Sequence, residues 1–143
     1  MKPTRVLVAT AIAMAAAAPA LADDPLVTVV TSDNPQTQLM AMVLSMQAME
    51  QGHDLRMLLC GPGGDIALRD APESATAPQP PRGASPQGLM QAMIASGARV
   101  EVCAIYLPGL GAEASALIEG VGVAQPPEMA GAMLADDTVV WSF

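Results

Sequence analysis

Lysine is all but missing from this chain of 143 residues: it occurs once, at position 2, and Lys and Arg together number 6 against 14 Asp plus Glu. That count excludes nucleic acid as a partner, because neutralising phosphates takes clustered Lys and Arg. Histidine is as scarce. His53 is the single one, so a zinc site built on histidine, or a histidine-based catalytic dyad, would have to run through it. It follows Gly52 at a helix stop, where a solvated side chain that favours the helix dipole is the simpler role. Cysteine occurs twice, at positions 60 and 103, and neither stands at zinc-site spacing from His53. No metal and no organic cofactor is expected. Beyond the N-terminal segment no stretch approaches the ~20 apolar residues that cross a bilayer.

That segment carries Lys2 and Arg5, an uncharged run from Val6 to Ala18, and Pro19-Ala20-Leu21-Ala22 ahead of Asp23-Asp24. A basic start, an apolar middle and a small-residue site make a secretory signal peptide cut after Ala22, and the run is too short and Ala-rich for a spanning helix. Residues 1–22 are thus read as a leader and 23–143 as one domain, exported to the periplasm of a Gram-negative cell or secreted. The remaining 121 residues suffice for a single core. They hold four Arg against all 14 acids, a formal charge of −10, which favours solubility more than it identifies a partner.

Leu26 to Thr31 is β-branched and apolar on both faces, the pattern of a central strand covered by helices. Asn34 and Pro35 supply an N-cap and a first helical residue. The helix then runs to about Gln51, with Leu39, Met42, Val43, Met46 and Met49 on the buried stripe and Met40 and Leu44 off it, a second apolar patch that suggests subunit contact. Asp54 to Cys60 reads as the second strand, ending in the turn Gly61-Pro62-Gly63-Gly64. Without a following Lys-Ser or Lys-Thr pair these glycines make no phosphate loop. The proline-rich stretch 65–84 reads as a long loop. Ser85 and Pro86 open another helix, with Leu89, Met90, Met93 and Ile94 buried and Gly97 as the stop. Arg99 to Tyr106 reads as a strand carrying Cys103. Helices over 112–119 and 126–134 and a last strand over 137–143 complete the order. This alternation predicts an α/β fold, a three-layer α/β/α sandwich with a mostly parallel sheet of four to five strands and flavodoxin-like winding.

Cys103 is the residue around which chemistry is expected, because strand ends in open α/β sheets form the crevice where ligands bind. Thr31, Ser32, Cys60, Gly61 and Tyr106 are the expected lining of that crevice. With the first strand between the two cysteine strands, the cysteines would stand two strand spacings apart, roughly 9–10 Å. That exceeds the ~7 Å limit for a disulfide, so no intramolecular bridge is expected. Thioethers are soft copper ligands, but Met42, Met46 and Met49 share the core stripe with Leu39 and Val43, where methionine fills volume.

Val100-Glu101-Val102-Cys103, the glycine-containing turn after it, Ile118-Glu119-Gly120-Val121, the helix from Met129 to Leu134 and an Asp-Asp strand at the end resemble the DsrE/DsrF-like family of small sulfur-handling proteins. The opening strand and Met49-Glu50-Gln51-Gly52-His53 resemble it too. The resemblance spans most of 26–143. It implies a three-layer sandwich, assembly as trimers or hexamers, and sulfur carried as a persulfide on Cys103, passed between donor and acceptor proteins. The departures are the expected export, into a compartment where thiols oxidise, and Cys60. The other reading is a non-catalytic oligomeric scaffold that keeps the fold and uses the crevice for a small ligand.

Overall fold

The computed structural model describes residues 23–143; the expected leader lies outside the described residues. Five strands, β1 (Asp23–Val30), β2 (His53–Leu59), β3 (Arg99–Val102), β4 (Val121–Val123) and β5 (Val139–Ser142), form one sheet. Every pairing is parallel and the order is β4-β3-β2-β1-β5. Helices α1 (Pro35–Glu50), α2 (Glu73–Thr76), α3 (Pro86–Ala95), α4 (Tyr106–Leu110) and α5 (Pro126–Met133) connect them. The three-layer α/β/α class is as the sequence implies. The winding is not flavodoxin-like, because β2 lies between β1 and β3, where that winding would put β1 between β2 and β3.

Connection handedness accounts for the layers. From β1 to β4 the chain always steps toward the same edge, and right-handed crossovers taken in one direction stack their helices on one face. The larger core lies there, with Leu26, Val30, Leu55, Met57, Leu59, Val100 and Val102 under Met42, Met90 and Met93. The last connection doubles back to β5 on the other side of β1, which puts α5 on the opposite face over Val27, Val29 and Leu58. The alternation of even and odd residues between the two cores is the period of two of a strand.

The helix starts form as the sequence dictates. Asn34 Oδ1 accepts from the N–H groups of Gln36 and Thr37 at 3.0 Å each, and Ser85 Oγ accepts from Gly88 at 3.2 Å, satisfying donors that a helix leaves free. The buried side of α1, however, is Gln38, Ala41, Met42, Ser45 and Ala48. Leu39, Met46 and Met49 are only half-buried, and Val43 joins Met40 and Leu44 on an exposed apolar patch. Small side chains let the helix backbone approach the sheet, where Ser45 Oγ and Thr28 Oγ1 share a buried hydrogen bond of 2.9 Å. Counting hydrophobic residues misses that contact.

Three expected elements change. The segment 112–119 forms only a 3₁₀ turn at Ala114–Ala116, followed by β4. The stretch 65–84 is held against the domain: Ile66, Ala67 and Ala75 are buried in the larger core, and Gln79 Nε2 donates to the Pro35 carbonyl at 3.0 Å. It holds the end of the 3₁₀ helix Gly61–Ala67 and the helix α2 where a long loop was expected. His53, expected in solvent, opens β2 with Nδ1 donating to the Asp24 carbonyl at 2.8 Å.

Candidate functional site

The carboxyl ends of the strands are tied together by a staircase of backbone hydrogen bonds. Thr31 N–H donates to the Phe143 carbonyl at 2.8 Å, Cys60 to Val30 at 3.0 Å, Cys103 to Leu59 at 2.9 Å and Ala124 to Val102 at 2.8 Å. Leu59 and Val102 are the last register partners of the β2–β3 ladder. Cys60 and Cys103 are the next residue on each strand, so both emerge at the same height on neighbouring strands. The two-strand separation expected from sequence is therefore wrong, because no strand lies between them. Both cysteines are free and both are half-buried.

The two cysteines are near neighbours on adjacent strands. Burial first, then a hydrogen bond to Cys103 and the charge of Cys103, push the Cys60 thiol up to about 12, since each of these disfavours a second thiolate. Cys60 keeps its proton at neutral pH. Cys60 also belongs to neither hydrophobic cluster, whereas Cys103 packs at the margin of the larger one.

Tyr106 closes the pair from the β3 side. The strand stops at Val102, and Tyr106 N–H turns back to the Cys103 carbonyl at 2.9 Å to start α4. Its buried ring lies over Gly64 so closely that a Cβ there would stand 2.4 Å from Cε2. Its hydroxyl donates to Asp65 Oδ1 at 2.6 Å. Burial, that hydrogen bond and the charges of Asp65 and Cys103 hold the phenol well above its ordinary range. Tyr106 is thus a neutral wall near the thiols.

The segment Gly61–Ala67, expected as a plain turn, is a 3₁₀ helix that starts where Cys60 ends, its first turn closed by Gly63 N–H to the Cys60 carbonyl at 3.1 Å. The structure thus brings together Cys103, Cys60 and Tyr106, with Gly61 next to Cys60 in the left-handed region at φ 51°. Thr31 and Ser32 sit one strand away, at the end of β1. Thr31 Oγ1 donates to the Phe143 carbonyl at 3.0 Å, and Ser32 Oγ accepts from Asn34 N–H at 3.1 Å while its carbonyl accepts from Gln38 Nε2 at 2.8 Å. Their polar groups are engaged locally. Asp65 and Gly64 were missed from the sequence; the Gly63-Gly64 pair was the available signal, since paired glycines mark close approach of other groups to the backbone.

A second polar cluster lies farther down β2 and β3, toward their amino ends. Glu101, buried in β3, accepts from Arg56 Nε at 2.7 Å and Arg99 Nη2 at 2.9 Å, and Glu128 of α5 accepts from Arg99 Nη1 at 2.8 Å. The neighbouring groove, about 320 Å³, is lined by Pro25, Asp54, Arg56, Arg99 and Thr138 among others. The half-buried methionines 46 and 49 line another groove with Met93, Glu50 and Ser96 between α1 and α3. Among the described residues no group of three or more His, Cys, Asp or Glu could hold a metal ion, and no helix is long and apolar enough to cross a membrane.

A sequence model of the DsrE/DsrF-like family matches residues 25–141. Two solved structures share the fold. The YchN protein from E. coli superposes with a TM-score of 0.67 at 24% identity, over 84% of this chain and 99% of that one. A protein of unknown function from Methanobacterium thermoautotrophicum, MTH1491, gives 0.66 at 16% identity, over 85% and 100% of the two chains. No curated protein matches the sequence.

Proposed function

The chain belongs to the DsrE/DsrF-like family, and from that premise we propose that it is an exported sulfur carrier that takes up sulfane sulfur as a persulfide on Cys103. The observation that carries the reading is the placement of Cys103 at the carboxyl end of β3, half-buried and at the same height as Cys60 on the neighbouring strand. In the loading step the Cys103 thiolate attacks the outer sulfur of a donor persulfide R–S–SH. A new S–S bond forms on Cys103 and the donor leaves as the thiolate RS⁻.

The loading test uses Cys60→Ser and Cys103→Ser incubated with inorganic polysulfide. Cys60→Ser should gain roughly 32 Da, mapped to the Cys103 peptide, and Cys103→Ser should gain none. If native Cys103 stays unmodified while the denatured chain reacts readily, the thiol is a packing residue and the small-ligand scaffold replaces the carrier.

Export and assembly belong to the same proposal. The leader pattern of residues 1–22 supports export, and the patch formed by Met40, Val43 and Leu44, 51%, 37% and 39% exposed on the outer side of α1, supports a homo-oligomer, a trimer or hexamer in keeping with the family. Native mass spectrometry of the exported protein reads both. The subunit should begin at Asp23 and assemble in threes. A retained leader would overturn the address, and a monomer at high micromolar concentration the assembly.

A further inference from the structure

We infer that Cys60 is a resolving thiol, which displaces the sulfur carried on Cys103 as sulfide and leaves a Cys60–Cys103 disulfide, so that this edge of the sheet reduces sulfane sulfur as well as carrying it. The inference deepens the reading above and rests on it, because Cys60 has nothing to resolve until Cys103 is loaded.

Register carries the argument. Cys60 and Cys103 follow the register partners Leu59 and Val102 on paired strands, and neighbouring strands lie ~4.8 Å apart. That spacing falls inside the ~4.4–6.8 Å range of Cα separations that a disulfide bridges. The bridge would not have to pull distant elements together. Each cysteine N–H is already bonded to the adjacent strand, Cys60 to Val30 and Cys103 to Leu59, and each carbonyl is held by a turn, to Gly63 and to Tyr106. The backbone thus fixes the two Cα atoms on adjacent strands at the same height, and both thiols are free and half-buried. A packing role accounts poorly for Cys60, which joins neither hydrophobic cluster.

The step balances as Cys103–S–SH plus HS–Cys60 giving Cys103–S–S–Cys60 plus H₂S. The Cys60 sulfur attacks the inner sulfur of the persulfide, and the bond between inner and outer sulfur breaks. The electron pair of that bond leaves on the outer sulfur, which also takes the Cys60 proton. The sulfane sulfur is reduced to sulfide while the two thiols are oxidised to a disulfide. Two electrons from an external dithiol reductant restore the pair.

The experiment loads the fully reduced full-length mature protein anaerobically with one equivalent of glutathione persulfide, removes the donor, and follows intact mass and released sulfide. Wild type should first gain roughly 32 Da, then end about 2 Da below the reduced chain with close to one sulfide released per subunit and a Cys60–Cys103 peptide in the digest. Cys60→Ser and Cys60→Ala should both hold the added sulfur and release no sulfide above the Cys103→Ser blank. A wild-type persulfide as long-lived as that of the two Cys60 variants would overturn the resolving role and leave the carrier intact. Failure of both Cys60 variants to gain sulfur while remaining folded would instead remove the carrier, and this inference with it.

Discussion

Glu101→Ala is expected to cost roughly 3–5 kcal/mol of folding stability, the penalty for removing one partner of a buried ion pair. That is a large share of the roughly 5–15 kcal/mol that holds a domain folded. Arg56 and Arg99 are register partners on β2 and β3, so their guanidinium groups are neighbours by construction and repel each other. Glu101, 4% exposed, accepts from both, one on each carboxylate oxygen. Arg56 Nη2 already has no hydrogen-bond partner, standing 3.7 Å from Glu128 Oε1. Loss of Glu101 would leave Arg56, whose side chain is 14% exposed, desolvated with no carboxylate close enough to accept from it. Glu128 is a poor substitute because it is half-exposed and engaged with Arg99, and exposed pairs contribute little. Urea denaturation should place Glu101→Gln between wild type and Glu101→Ala. The double change Arg56→Met with Glu101→Leu should return close to wild type, since replacing a buried pair by apolar groups of similar volume is often neutral. A loss below about 1 kcal/mol in Glu101→Ala would show that the arginines find water instead.

Local signals were legible and tertiary ones were not. Asn34-Pro35 and Ser85-Pro86 fix helix starts through contacts within three residues, and the structure has both helices where those pairs put them. The glycines at 52 and 97, both at φ 102°, end the same helices. Strand order has no such local cause. Whether β1 or β2 lies beside β3 depends on which way each crossover steps, and the apolar character of β1 suits any interior position. β4 was missed because Val121-Gly122-Val123 is three residues long with a glycine at its centre, a pattern with no alternation to detect. The cysteine strand, expected over 99–106, was overextended for the opposite reason, since β3 ends at Val102. Ile105 and Tyr106 have strand character, but the Tyr106 N–H bond to the Cys103 carbonyl converts them into the start of α4.

The candidate site divides along the same line. Cys103 could be placed at a strand end because its own strand announced it. Cys60 could not be placed beside it, because that juxtaposition follows from β2 and β3 being neighbours. An error in strand order therefore became an error about chemistry: a pair expected two strands apart stands on adjacent strands. Asp65 was invisible for a different reason. Its partner Tyr106 lies 41 positions away, and the approach of the two depends on a 3₁₀ helix that no residue pattern announced.

Gly63→Ala is expected to destabilise the protein by roughly 2–4 kcal/mol, combining overpacking with a lost buried hydrogen bond. A Cβ at position 63 would lie 2.2 Å from the Val30 carbonyl oxygen, 2.7 Å from its carbon and 3.1 Å from Thr31 N. These are backbone atoms at the end of a central strand and have no rotamer to adopt. The same Val30 oxygen accepts the Cys60 N–H at 3.0 Å. Relieving the collision therefore means moving the 3₁₀ helix off the sheet or breaking the bond that anchors Cys60, and either change disturbs the dithiol as well as the fold. Gly64→Ala meets the ring of Tyr106 instead, at 2.4–2.6 Å, a side chain that can yield by giving up its 2.6 Å bond to Asp65. It should cost less in stability than Gly63→Ala. Gly131→Ala is the control: it lies within α5 with nothing within 4 Å of the new methyl, and should stabilise by about 0.5–1 kcal/mol through helix propensity. Denaturant midpoints of the three variants, with the rate of Cys60 alkylation in the folded state, decide the matter. If Gly63→Ala unfolds within about 0.5 kcal/mol of wild type and protects Cys60 equally well, the 3₁₀ helix does not rest on β1 as described.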